Sequence, residues 1–168
     1  SLIRGGHNFA RISFSKDPVH CDHQALDVLI ALNEESISLH LPELTENSVV
    51  FGDSIKEDDS KKLGQNFQML PMQKTVTELK AMPIMRNSMA IGALCYLIDL
   101  DYDLMQKVLN KVFKNKQPEM NTKLADMGYE IMKKNNYRHL KKIEPSNAKN
   151  DFLEGNVAIG KGMIYAGL

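Results

Sequence analysis

The residues best suited to chemistry lie near the amino end, in Arg4-Gly5-Gly6-His7-Asn8. Two adjacent glycines let the backbone come close to a ligand and turn N–H groups toward an anion. Arg4 adds a permanent charge in a fork that suits phosphate or carboxylate. The same Gly-Gly pair also makes a plain turn ahead of a strand, and its spacing is not that of a GxGxxG fingerprint. A second group, His20-Cys21-Asp22-His23, gathers metal-ligating types. Its spacing fits no standard closed tetrahedral site, and a polar loop between two strands is the better reading. Cys21 and Cys95 form no CxxC pair, which argues against an iron–sulfur or zinc ribbon within the chain, so no metal ligand is assigned. Asn33 follows an apolar run, where the carboxyl end of a strand would meet a ligand; Asn33 or Ser36 could equally cap the next helix. Asn87, in Arg86-Asn87-Ser88, opens an apolar helix, where capping by Asn87 or Ser88 or packing in an interface is the favoured reading over an anion held at the helix N-terminus. No Ser–His–Asp arrangement, telling carboxylate pair or GxxxxGK loop is present, so no catalytic residue is named.

These candidates need elements to hold them. Residues 8–15 (NFARISFS) alternate in the manner of a strand with one more apolar face. Residues 26–32 (LDVLIAL) form a near-continuous apolar run, as expected of a strand buried on both faces of a parallel sheet. The pattern turns helical from Asn33 through Leu41, and Val49, Val50 and Phe51 make a further strand. Residues 55–66 are polar and read as a solvated loop or hairpin tip. Residues 67–71 read as a short strand and 76–79 as a turn of helix. Residues 85–98 are apolar all round, which predicts a buried helix. Residues 101–114 predict an amphipathic helix capped by Asp103, with Leu104, Val108, Leu109, Val112 and Phe113 inward. A helix over 119–135 turns Met120, Leu124, Met127, Ile131 and Met132 inward. Residues 137–150 read as a linker and 156–168 as a helix of small residues. Strands followed by helices in this order predict an α/β fold with a sheet at least partly parallel.

Composition sets outer bounds. The chain has 168 residues, with 43% hydrophobic and 25% charged, ordinary values for a globular protein. Lys plus Arg and Asp plus Glu number 21 each, so there is no global attraction to nucleic acid or to an anionic membrane. No run of about 18–20 apolar residues predicts a membrane span, and residues 1–7 lack the form of a signal peptide. Two well-separated cysteines read as reduced thiols, which places the protein in the cytoplasm.

Five segments, in order, resemble the gamma domain of 2-oxoacid:ferredoxin oxidoreductases. They are SLIRGGHNFARISFS at 1–15, LDVLIALNEESISLH at 26–40, RNSMAIGALCYLI at 86–98, NTKLADMGY at 121–129, and EGNVAIG at 154–160. The last looks like the opening of the pyrimidine-binding alpha domain that follows gamma in fused subunits. The resemblance implies a three-layer, Rossmann-like α/β domain over 1–136, lacking its first strand and the GxGGQG-type turn. A linker over 137–153 and the start of the alpha domain over 154–168 would follow. It implies a part in oxidative decarboxylation of a 2-oxoacid with coenzyme A, giving acyl-CoA and CO2 and reducing ferredoxin. Thiamine diphosphate, magnesium and an iron–sulfur cluster would sit on other segments or subunits, with the beta subunit and the rest of the alpha domain as partners. The fused arrangement points to a 2-oxoglutarate or broad 2-oxoacid enzyme. Candidate coenzyme A contacts by this resemblance are Arg4, Gly5, Gly6 and His7, then Asn33 and Asn87. A stand-alone nucleotide- or coenzyme-binding module and a purely structural subunit are the alternatives.

Overall fold

The computed structural model describes residues 6–15, 19, 21, 23–135, 137, 140 and 155–167. Its sheet has three parallel strands in the order β1 (Leu26–Ala31), β2 (Leu44–Gly52), β3 (Phe67–Met69). Parallel neighbours need a crossover, and a helix supplies each one. Helix α1 (Glu34–His40) joins β1 to β2, and α2 (Glu57–Leu63) joins β2 to β3. Successive side chains of a strand point to opposite faces, and here the parity divides the core in two. Ala31, Val50 and Leu29 pack with Ile37 of α1 and Leu63 of α2 on one face. Val28, Ile30, Val49 and Phe51 face the other way. There they meet α3 (Met72–Glu78) through Met72 and Val76, and α4 (Arg86–Leu97) through Met89 and Ala93. The result is the expected three-layer α/β fold with flanking helices. Full burial of a side chain such as Phe51 contributes about 1.5–3 kcal/mol.

Beyond the sheet, α5 (Tyr102–Val112) and α6 (Pro118–Lys134) complete a helical layer. Contacts between α4 and α6 advance together: Ser88 with Asn121, Gly92 with Ala125, and Tyr96 with Tyr129. The two helices therefore run side by side in the same sense, with α5 as the return. A last helix, α7 (Gly155–Tyr165), is exposed along its length. Among the described residues no helix is long and apolar enough to cross a membrane.

Four local expectations are corrected. Residues 8–15 form no strand. A strand needs a partner for its N–H and C=O groups, and the described sheet holds only β1, β2 and β3. Phe9, Ile12 and Phe14 accordingly stay exposed. The polar stretch at 55–66 is helix α2 rather than a loop. Its first turn carries Glu57, Asp58 and Asp59 and its last turn Lys61 and Lys62, the arrangement a helix dipole favours. Asp101, not Asp103, caps α5, accepting a hydrogen bond from Leu104 N at 2.8 Å. That helix buries Met105 and Leu109 and exposes Leu104, Val108 and Val112. Two apolar stripes stand side by side on α5 at i, i+4 spacing, and only the packing partner selects between them. On α6, finally, the small residues Asn121, Ala125 and Gly128 join Leu124 and Met132 in the interior. Most of the expected linker over 137–150 lies outside the described residues. Of its two described members, Leu140 donates its N–H to Leu97 O at 2.8 Å.

Candidate functional site

The described candidates lie in three places. Arg4 and Gly5 fall outside the described residues. Gly6 has φ +78°, the left-handed region that glycine enters without strain. It delivers His7 to the far end of α1, where His7 Nε2 is 3.0 Å from His40 Nε2. His40 is buried at 6% exposure and ends α1. On its other side, His40 Nδ1 lies 3.0 Å from Glu43 Oε2. Glu43 belongs to the 3-10 turn Leu41–Glu43, which Pro42 helps to start. Arg11 closes the chain, donating to Glu43 Oε2 at 2.6 Å and to His23 O at 3.0 Å. Phe9 packs edge-on to His40 and stacks on His7, with ring centroids at 5.0 and 5.9 Å. The hydrogen bond from His40 holds the Glu43 carboxyl below the usual carboxylate range; burial opposes this and Arg11 assists it.

This cluster stands beside the amino ends of the strands, where α1 hands over to β2 at Leu44. Asn33 stands at the other end of the same helix, just past the carboxyl end of β1. A seven-residue helix spans about 10 Å. The structure therefore separates His7 from Asn33 by the length of α1. Asn33 Oδ1 accepts from Ser36 N at 2.9 Å and from Ser36 Oγ at 2.8 Å, so it is the N-cap of α1. Asn33→Ala is expected to cost about 1 kcal/mol. Thermal unfolding should show this as a drop of roughly 2–4 °C. An unchanged transition would mean that the cap contributes nothing.

Asn87 lies on α4, in the helical layer of the opposite face. It does not cap that helix: a 3-10 turn, Pro83–Met85, runs directly into α4, and its N-cap, Met85, makes no side-chain bond. Asn87 Oδ1 is buried with no hydrogen-bond partner among the described residues, as is Asp53 Oδ2. The other Asp53 oxygen accepts from Gln73 N at 2.8 Å at the start of α3. Ser88, beside Asn87, points inward and donates to Asn121 Oδ1 at 2.7 Å.

The other features raised by the sequence come to less. Cys21 is exposed; Cys95 is buried, and burial pushes its thiol up to about 11, leaving it protonated and inert. Among the described residues, no three His, Cys, Asp or Glu side chains gather as a metal site. His20 and Asp22 lie outside those residues. A surface hollow of about 420 Å³ opens beside the amino edge of the sheet, lined by Leu41, Pro42, Glu46 and Lys62 among others. None of the described candidates lines it.

Sequence reasoning missed Arg11, His40 and Glu43. The available signal was the pair His40 and Glu43 at i, i+3 where a helix breaks before Pro42. Nothing in the sequence says that residues 7 and 11 return to that point.

The family model described as POR, pyruvate ferredoxin/flavodoxin oxidoreductase, matches residues 1–131. Among solved structures, the chain resembles 2-oxoglutarate:ferredoxin oxidoreductase from Magnetococcus marinus, whose structure holds 2-oxoglutarate, coenzyme A and succinyl-CoA. The TM-score is 0.76 at 23% identity, with 92% of this chain and 28% of that chain covered. At that identity the likeness establishes a common fold. The chain thus spans well under a third of the solved protein it resembles. No curated protein matches it.

Proposed function

As the chain belongs to the pyruvate ferredoxin/flavodoxin oxidoreductase family, we propose that it serves as the gamma domain of a 2-oxoacid:ferredoxin oxidoreductase and binds coenzyme A through residues 4–7. The enzyme as a whole would decarboxylate a 2-oxoacid oxidatively, form an acyl-CoA and pass electrons to ferredoxin. Thiamine diphosphate, held with magnesium on other segments, supplies the carbanion chemistry, and an iron–sulfur cluster takes the electrons. This chain's part is to bind and orient the thiol substrate. The solved 2-oxoglutarate enzyme, with coenzyme A and succinyl-CoA in its structure, supports 2-oxoglutarate or a related 2-oxoacid as substrate.

The observation that carries the reading is the family match over residues 1–131, which includes the Arg-Gly-Gly-His loop. The tie from His7 to His40 supports it, because a His7 already held in place loses less freedom on binding. Asn33 and Asn87 are the further proposed contacts of the same ligand. The domain would end near residue 136, two residues past α6, with a linker over 137–153. Helix α7 would then open the alpha domain, and the rest of that domain and a beta subunit are the proposed partners. The exposure of Ile159, Ile164 and Tyr165 on α7 supports a further unit that covers them.

Arg4→Ala in the assembled enzyme is expected to raise the KM for coenzyme A about tenfold, the loss of one charge-assisted contact. The KM for the 2-oxoacid should stay unchanged. Unaltered coenzyme A kinetics would remove the role given to the loop.

A further inference from the structure

We propose that the outer face of α5 docks another subunit of the assembled enzyme, by receiving a helix whose apolar face is flanked by Asp or Glu. The inference rests on the multi-subunit reading given above and is independent of the coenzyme A loop.

Helix α5 carries two apolar stripes, and the domain uses one of them. Met105 and Leu109 are buried with Cys95 of α4 and Ala125 of α6. Leu104, Val108 and Val112, at i, i+4 and i+8, are 45%, 49% and 63% exposed. At about 3.6 residues per turn these three stand in one row along the helix. An apolar row of this kind, rimmed by charge, is the pattern of a packing face rather than a solvated one.

The charges beside the row define what fits over it. Lys107 and Lys111 line the side away from Met105 and Leu109, one turn apart, and Lys114 follows just past the helix end. Among the described residues none of the three lysines has an ion pair or hydrogen bond. By contrast α2, α3 and α6 pair lysines with carboxylates along their own surfaces, as in Lys61–Glu57 at 2.8 Å, Lys74–Glu78 at 3.8 Å and Lys133–Glu130 at 3.5 Å. The helix dipole favours Lys111 in the last turn but not Lys107 at the middle. Like charges at i, i+4 weaken an exposed helix, and a carboxylate opposite them relieves the repulsion.

Two other occupants fit less well. Two antiparallel α5 helices related by a two-fold axis would set the lysine side of one against the lysine side of the other. An anionic lipid surface would meet Asp101 and Asp103 at one end of the helix, and the apolar row holds no aromatic residue to anchor it. A partner helix with apolar residues against Leu104, Val108 and Val112, and Asp or Glu against Lys107 and Lys111, satisfies both rows. The apolar contact supplies the attraction, and the charges select the partner and its register.

The test uses the complete enzyme with all its subunits. A carbodiimide joins an amine to a carboxylate only where the two touch, and mass spectrometry of the digest identifies the pair. Lys107, Lys111 or Lys114 should be joined to an Asp or Glu of another subunit, in a segment with apolar residues at helical spacing. Links only within this chain, or to a second copy of it, would overturn the proposal. Lys107→Glu combined with Lys111→Glu should weaken the hold on that subunit at least about tenfold at low salt, and the deficit should shrink as salt rises. Neither lysine has a partner within the domain to lose, so the thermal transition should stay in place. The neutral pair Lys107→Gln and Lys111→Gln should lose less. Unchanged association in the charge-reversed enzyme would overturn the docking surface. Wild-type binding to phosphatidylserine–phosphatidylcholine vesicles that the charge reversal abolishes would overturn it in favour of a lipid surface. Turnover of a 2-oxoacid with coenzyme A in the same preparation checks the reading above separately. Turnover without the links leaves that reading and removes this surface; links without turnover do the reverse.

Discussion

Gly128→Ala should destabilise the protein by about 3 kcal/mol or more, the upper range for overpacking a closed interior. A Cβ on Gly128 would run into the backbone carbonyl of Met89 on α4. The reciprocal overlap occurs at Gly92, whose Cβ would meet the carbonyl of Ala125 on α6. In both cases the obstacle is backbone, so no side chain can rotate away. The helices would have to separate, opening the packing of Met89, Ala93, Leu124 and Met132 in the main core. Denaturant unfolding of single and double Gly→Ala variants measures this. Because one separation relieves both overlaps, the double variant should cost clearly less than the sum of the singles. A loss under about 1 kcal/mol for Gly128→Ala would show that the two helices can move apart freely.

The second large effect is expected at Asn121, which is 2% exposed. Its Oδ1 accepts from Ser88 Oγ at 2.7 Å, and its Nδ2 donates to Lys116 O at 2.9 Å and Gln117 O at 3.0 Å. One side chain thus joins α4 to the turn that starts α6, where Gln117 sits at φ +51°. Asn121→Ala removes these bonds and leaves the buried Ser88 hydroxyl without its partner. The expected cost is about 2–3 kcal/mol, dominated by groups left unsatisfied rather than by bonds lost. Ser88→Ala should cost less. Ser88→Ala combined with Asn121→Ala should be no worse than Asn121→Ala alone, because no orphan hydroxyl remains. A double variant equal to the sum of the singles would mean that Ser88 and Asn121 act independently.

Gly128 and Asn121 lie in NTKLADMGY, and their partners Gly92 and Ser88 in RNSMAIGALCYLI, two segments that resemble the 2-oxoacid:ferredoxin oxidoreductases. As a pattern, the first segment predicts a buried helix and the second an amphipathic one, with only Asn87 weighed as a ligand contact. The structure assigns Gly92, Gly128, Ser88 and Asn121 to the crossing of α4 and α6. Asn87 stands apart from that crossing, with its buried Oδ1 unpaired among the described residues. Polar and glycine motifs of this kind cannot be sorted on sequence alone. Close backbone approach and ligand approach demand the same residue types.

Some elements were legible because the physics that makes them is local. The run LDVLIAL has the length and apolar continuity of a buried parallel strand and forms β1. Asn33 sits where the pattern changes from strand to helix and caps α1, one of the two roles its position allowed. The apolar segment after Met85 forms α4 within the core. Helix α2 was not legible in the same way: its one deeply placed apolar residue is Leu63, too little for a periodic signal. Its existence follows from the sheet, since two parallel neighbours must be joined by a crossover.

The loop at 4–7 shows both halves of this division. Residue types alone marked Gly6 and His7: paired glycines permit close approach, and His7 follows a fixed positive charge at Arg4. The sequence likewise determined the family and the α/β class, because residue identity and short-range spacing are enough for both. Only the tertiary structure decided that His7 meets His40 and that Arg11 reaches Glu43, contacts spanning 33 and 32 residues. Only it decided that Asn33 stands a helix length away from them. These pairings depend on where α1 ends relative to the amino edge of the sheet, which the register of β1 against β2 fixes and no local pattern encodes.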